Sequence, residues 1–113
     1  MQNSAQNAAD RTEPLKSTLA SDPDMAELVQ FFVEEISGRL EFIQNATEEN
    51  DFGKLRTVAH QLKGAGTGYG FEPISRSAGD LEALIDDTQP TEQTDDFRKQ
   101  VNELIDLCKR VSL

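Results

Sequence analysis

The sequence predicts an all-α fold, an antiparallel four-helix bundle with an additional short N-terminal helix. Apolar residues recur every three to four positions through most of the 113 residues, which is the spacing of an amphipathic helix. No segment alternates polar and apolar residues as a half-buried strand does. The connections between the helical segments are short, so consecutive helices should run antiparallel. A chain of this length forms one domain with a real core.

The first predicted helix is short and runs from Glu13 to Ala20. Thr12 would cap its N-terminus, and Pro14 would occupy the first turn, where its missing backbone N–H is not needed. Residues 1–12 are polar and lack the apolar stretch of a signal peptide. We therefore expect a flexible leader over residues 1–12 and one helical domain over residues 13–113.

The second predicted helix is long and ends near Glu48. A serine, an aspartate and a proline at residues 21–23 indicate its start, because they combine a capping side chain with a proline near the first helical position. Its apolar stripe faces the core and consists of Met25, Leu28, Val29, Phe32, Ile36, Leu40 and Ile43. Phe31 and Phe42 lie off the stripe, and each is either an edge of the bundle or an exposed docking residue.

Three further helices complete the predicted bundle. The third follows a cap at Asn50 or Asp51, the fourth begins near Glu72 and ends in a turn over residues 86–90, and the last starts near Thr91 or Thr94. We expect one core that contains Phe32, Ile36, Leu55, Leu62, Leu81, Leu84, Val101 and Leu104.

The composition excludes several classes of function. A formal net charge of -10 argues against binding to nucleic acids, which requires a basic surface, and against binding to anionic membranes. No apolar run approaches the ~20 residues that a membrane span needs. A single cysteine, Cys108, forms no internal disulfide and is expected to be a small buried residue. These features predict a cytoplasmic protein, and we expect it to be a monomer.

His60 is the only histidine of the chain, and it lies on the flank of the third predicted helix. Each helical residue advances about 100° around the axis, so Ala59 and Leu62 fall near the centre of the buried stripe while His60 does not. A neutral imidazole is available near pH 7 and is nucleophilic. We therefore expect His60 to reach solvent and to carry a phosphoryl group, although an isolated surface histidine is often incidental.

Four residues share the exposed face of His60: Arg56, Lys63, Gly64 and Thr67. The two cations could offset the charge of a phosphoryl group, and the threonine could donate a hydrogen bond to it. Gly64 lacks the Cβ atom that would obstruct an approaching partner. Glycine costs roughly 1 kcal/mol in a helix, so the alternative that the helix ends near Gly64 stays open.

The motif around the histidine resembles the signature of histidine-containing phosphotransfer (HPt) domains. That signature is His, any residue, Leu, Lys, Gly and a small residue, with another glycine ten positions after the histidine. The matching residues are His60, Leu62, Lys63, Gly64, Ala65 and Gly70, and the similarity extends over roughly residues 15–111. Gly66 and Gly68 add glycines that leave the end of the third helix uncertain.

The resemblance implies a mechanism and a set of partners. His60 would accept a phosphoryl group from an aspartyl-phosphate on a response-regulator receiver domain or a hybrid sensor kinase, and would pass it to another receiver. Lys63 would be a phosphate neighbour, and Gly64 would give clearance to the docking partner. The receiver would supply the acidic pocket and the Mg²⁺, so this chain would be no enzyme and would hold no cofactor. Whether the domain is free-standing or part of a hybrid kinase stays open.

Other sites fit the sequence poorly. The glycines at residues 64–70 do not have the spacing of a dinucleotide fingerprint or a P-loop, and no strand precedes them. A carboxylate-bridged metal site would need two histidines, so no metal is expected. One hypothesis from another class remains, a helical protein-interaction module without phosphotransfer.

Overall fold

The structure is a computed structural model that describes residues 13–113. Within this part of the chain, four helices follow one another and two short strands flank them. The elements are β1 (Leu15–Lys16), α1 (Ala26–Glu48), α2 (Phe52–Gly68), α3 (Glu72–Thr88), α4 (Asp95–Arg110) and β2 (Val111–Ser112). The predicted helical bundle is therefore present over this range.

The predicted N-terminal helix over Glu13–Ala20 is wrong. Leu15 and Lys16 instead form β1, which pairs in parallel with β2 so that Leu15 lies opposite Val111. A helix of this length is marginal on its own, and pairing with a distant strand satisfies the same backbone groups. The expected cap at Thr12 and the expected leader over residues 1–12 lie outside the described residues.

The long helix α1 begins later than predicted, at Ala26. The residues that signalled its start form a turn instead, because an Asp22 carboxylate oxygen accepts the backbone N–H of Asp24 at 2.9 Å. Its end at Glu48 agrees with the prediction. Leu28 was expected in the buried stripe but is 46 % exposed.

Side-chain caps set the starts of α2 and α4 where the sequence predicted them. Asp51 accepts the backbone N–H of Lys54 at 3.1 Å, and Thr94 accepts that of Phe97 at 3.1 Å. The third helix of the bundle, α3, runs to Thr88, three residues into the predicted turn.

The core lies between the four helices and contains most of the residues predicted for it. Leu84 is the exception, because it is only half-buried at the edge of the bundle. The buried apolar residues include Val29, Phe32, Ile36, Ile43, Leu55, Leu62, Phe71, Ile74, Leu81, Ile85, Phe97, Val101, Leu104 and Cys108.

Gly66 allows α2 and α3 to approach closely. A Cβ atom on Gly66 would lie 2.7 Å from the backbone nitrogen of Ser75, closer than such atoms come in proteins. The close approach at Gly66 fixes the relative position of α2 and α3, the two helices that form the candidate site.

The helix α2 continues past Gly64 to Gly68, so the alternative that it ends near Gly64 is excluded.

Within the described residues, no helix is long and apolar enough to span a membrane.

Candidate functional site

His60 projects from the middle of α2 into solvent. Its side chain is 67 % exposed, whereas its neighbours Ala59 and Leu62 on the same helix are fully buried. The predicted exposure of His60 is confirmed. Because the backbone beside it is held by the core, the imidazole stands on a rigid support rather than on a loop.

Glu82 of α3 fixes the orientation of the imidazole. One of its carboxylate oxygens, Oε2, lies 2.8 Å from His60 Nδ1, and the residue is only 7 % exposed. An ionised carboxylate has only acceptor sites, so His60 Nδ1–H donates this hydrogen bond. In the neutral form of the ring, this hydrogen bond leaves the lone pair on Nε2. Among the described residues, none forms a hydrogen bond with Nε2.

The two predicted cations also face Glu82. Lys63 Nζ lies 3.7 Å from Glu82 Oε1, and an Arg56 terminal nitrogen lies 3.5 Å from Glu82 Oε2. One buried acid therefore gathers three of the predicted site residues around it: His60, Lys63 and Arg56.

Arg56 is more strongly engaged with a second acid, Asp86. Its guanidinium donates two hydrogen bonds to the Asp86 carboxylate, and the one from Nη2 to Oδ2 measures 3.1 Å. This hydrogen bonding raises the pKa of Arg56 and lowers the pKa of Asp86. Both side chains are about half exposed, so solvent screens the pair. Arg56 is thus engaged with two acids of α3, Glu82 and Asp86.

The Thr67 hydroxyl points toward α3. Thr67 Oγ1 lies 2.8 Å from Ser75 Oγ, and Ser75 Oγ donates its single proton to the Lys63 carbonyl at 2.6 Å. The proton between the two hydroxyls must then come from Thr67. Thr67 shares the helix face of His60, but its hydroxyl already donates a hydrogen bond to Ser75 Oγ.

Gly64 leaves open space one turn from His60. A Cβ atom built on Gly64 would find nothing within 4 Å, and the residue is exposed. The surface beside the imidazole is therefore flat at this point.

A groove between α1 and α2 lies next to the histidine. It has a volume of about 490 Å³ and a mostly apolar lining surface, to which Gly38, exposed Phe42 and buried Val58 contribute beside Glu35, Arg39, Thr57 and Gln61. Arg39 donates a hydrogen bond to Gln61, the residue after His60, at 3.0 Å and so joins the two helices at the groove. Of the alternatives for Phe42, exposure is the one observed, and Phe31 is also exposed at 53 %.

Glu82 is the residue that the sequence analysis missed. It lies 22 positions after His60, so no local spacing connects the two. A signal was present nonetheless, because Glu82 follows Leu81 and lies one turn after Ala78 on the buried face of α3. A lone acid on an apolar stripe needs a partner, and here the partner is His60.

Among residues 13–113, no group of three or more His, Cys, Asp or Glu side chains is arranged to hold a metal ion. The acids around His60 face cations instead.

Comparisons with known proteins gave one result. A family model described as Hpt domain matches residues 27–112, which is most of the chain and includes all four helices except the first residue of α1. The comparisons with curated proteins and with solved structures found no match.

Proposed function

The chain belongs to the Hpt domain family, and from this we propose that it is the histidine phosphotransfer module of a multistep phosphorelay, with His60 as the phosphoacceptor. Hpt domains are phosphocarriers rather than catalysts. The observation that carries the assignment to His60 is its geometry: the imidazole is exposed, and its Nδ1 is held by a buried carboxylate.

The proposed step is a displacement at phosphorus. The Nε2 lone pair of His60 attacks the phosphoryl group of an aspartyl-phosphate on the partner, the N–P bond forms, and the bond from phosphorus to the aspartate oxygen breaks. The aspartate leaves as a carboxylate. Since Nδ1 keeps its proton, the imidazole becomes positively charged as the N–P bond forms, and Glu82 lies 2.8 Å from that charge. The reverse step passes the group to another receiver.

Charge compensation by this chain comes from Lys63. Its ammonium is half exposed and rests on Glu82 Oε1, one helical turn from His60. When the phosphoryl group is on Nε2, the ammonium can turn toward its oxygens, because a charge-assisted hydrogen bond to a phosphoryl oxygen is stronger than a 3.7 Å contact. Arg56 serves instead to hold Glu82, since Asp86 anchors it. Thr67 supports the same arrangement through Ser75.

The docking partner is a receiver domain. The open space at Gly64 would let its surface come close to the imidazole, and the groove lined by Phe42 and Gly38 would take its apolar side chains. The receiver supplies the acidic pocket and the Mg²⁺, and the donor can be a response regulator or the receiver of a hybrid sensor kinase. We propose a cytoplasmic monomer.

A phosphotransfer assay tests the proposal. The protein is incubated with a phosphorylated receiver, and His60→Gln serves as the variant. The wild-type protein should gain a phosphoryl group that is labile in acid and stable in base. His60→Gln should keep the same thermal melt and gain none. Uptake of the label by His60→Gln would overturn the assignment of the phosphoacceptor.

A second function is favoured by the exposed apolar groove alone. A module that binds a protein through Phe42 and Gly38 would need no chemistry at His60. Under this alternative the wild-type protein would bind its partner, and His60→Gln would bind it equally, with no label transferred to either.

A further inference from the structure

Gly79 of α3 lies under the side chain of Lys63. A Cβ atom on Gly79 would be 3.4 Å from Lys63 Cδ, 3.7 Å from Cε and 3.7 Å from Cγ. The aliphatic part of the lysine therefore crosses α3 at the one position where that helix has no side chain.

Two more contacts hold Lys63 against the same helix. Ser75 donates a hydrogen bond to the Lys63 carbonyl at 2.6 Å, and the ammonium ends 3.7 Å from Glu82 Oε1. Ser75, Gly79 and Glu82 are spaced by four and three residues, so they form one row along α3. The backbone, the stem and the charged end of Lys63 thus contact successive positions of that row.

We propose that Gly79 is a positioning residue for Lys63. By leaving room for the lysine stem, Gly79 determines where the Lys63 ammonium lies before a phosphoryl group reaches His60. The inference rests on the proposed function, because this position matters only if His60 receives a phosphoryl group. The physical reason is reach: a side chain larger than that of alanine at residue 79 would occupy the path of the lysine stem and move the ammonium away from Glu82.

Substitutions of increasing size at residue 79 test whether the position must stay small to leave room for Lys63, or must be glycine for another reason. In Gly79→Ala the new atom would make an ordinary 3.4 Å contact with a flexible side chain, so transfer should stay within about twofold of wild type. In Gly79→Leu the stem is displaced, and transfer from a phosphorylated receiver should slow toward the roughly tenfold loss expected of Lys63→Ala. Gly53→Leu is the matched control, since Gly53 is exposed near the start of α2 and should leave the rate unchanged.

A double-mutant cycle gives the decisive readout. If Gly79 acts through Lys63, adding Gly79→Leu to Lys63→Ala should slow transfer no further. Additive losses in the double variant would show that Gly79 has another role and would overturn the proposal. Thermal melts of all variants identify any that fail to fold, and in that event an NMR contact in the wild-type protein still tests the proposal.

A measurement without phosphoryl groups distinguishes failure of this inference from failure of the proposed function. NMR of the unphosphorylated protein should give a nuclear Overhauser contact between the Lys63 side-chain protons and Gly79 Hα. In Gly79→Leu the Lys63 side-chain signals should move to the shifts of a solvated lysine. Absence of the contact in the wild-type protein would overturn the positioning role, whether or not His60 accepts a phosphoryl group.

Discussion

Glu82 accepts a hydrogen bond from His60 across the interface of α2 and α3, at 2.8 Å, although the glutamate is buried and the histidine is exposed. The relationship makes one ring nitrogen a donor and leaves the other free to be the nucleophile of the proposed transfer. It also places a carboxylate where the imidazole would gain positive charge in that step.

Replacing Glu82 separates these two effects. Glu82→Gln keeps an oxygen that can accept from Nδ1–H but loses the charge, and transfer should slow by about tenfold, or ~1.4 kcal/mol of barrier. Glu82→Ala should slow it further, because the proton is then free to move between the ring nitrogens. Nitrogen-15 NMR of His60 reports the tautomer, and timed transfer reports the rate. A wild-type rate in Glu82→Gln would contradict a role for the charge.

Lys63→Ala should slow transfer by about tenfold without abolishing it, since a screened surface charge contributes modestly. The difference in transfer rate between wild type and Lys63→Ala should become smaller as the salt concentration rises, because salt screens the charge of Lys63 in the wild-type protein. The measurement is the transfer rate of both proteins over a series of salt concentrations. Equal rates at every concentration would show that Lys63 has no part in the reaction.

Gly64→Gln should fold normally and lose transfer from a protein donor. The built Cβ of Gly64 meets no atom within 4 Å, so the side chain fits the free protein but would stand against a docked receiver. A misplacement of about 1 Å can cost on the order of a hundredfold. Phosphorylation by phosphoramidate should persist, because this small donor needs little clearance. Gly64→Ala and Gly53→Gln are the controls, and normal transfer by Gly64→Gln would remove the docking role.

Leu62→Ala should destabilise the fold by roughly 2–5 kcal/mol, because the leucine is fully buried beneath the site. Leu28→Ala is the matched control, and its cost should be within ~0.5 kcal/mol since Leu28 is nearly half exposed. Urea unfolding followed by circular dichroism measures both. Equal costs for the two leucines would contradict the packing described.

Stability should fall at high pH because of Cys108. Burial raises the pKa of this thiol to about 12 from an ordinary value of 9.0, so the folded state keeps a proton that the unfolded state releases above pH 9. Unfolding then becomes more favourable as the pH rises between these values. The difference in urea midpoint between wild type and Cys108→Ala should change over this range and stay constant below it. A constant difference throughout would contradict the pKa shift.

The sequence predicted those parts of the fold that depend on interactions between residues close together in the chain. The caps at Asp51 and Thr94 each need only a side chain and a backbone N–H three residues away, and both were foreseen. The exposure of His60 followed from helical geometry alone. The strand at Leu15 was not predictable in this way, because its partner Val111 lies at the other end of the domain.

The candidate site was foreseen on one helix and missed on the other. Residues on α2 lie at fixed angles from His60, so their shared face could be derived. Glu82 and Gly79 reach the site only because α3 packs against α2, and that packing depends on the close contact at Gly66. Thr67 shows the same limit, since its spacing on α2 is right but its hydroxyl donates a hydrogen bond to Ser75 of α3.

The pairing of β1 with β2 brings together the two ends of the part of the chain that the structure describes. Leu15 and Val111 lie side by side, and the chain between β1 and α1 is fastened to the turn after α2 by a hydrogen bond from Thr18 N–H to the Gly70 carbonyl at 2.9 Å. Eight helical residues, 61–68, separate that turn from His60, a distance of about 12 Å. A receiver tethered at this end by a short flexible linker would face the imidazole at an effective concentration on the order of millimolar. Docking could then be weak within one polypeptide and still sustain transfer, while untethered receivers would dissociate quickly.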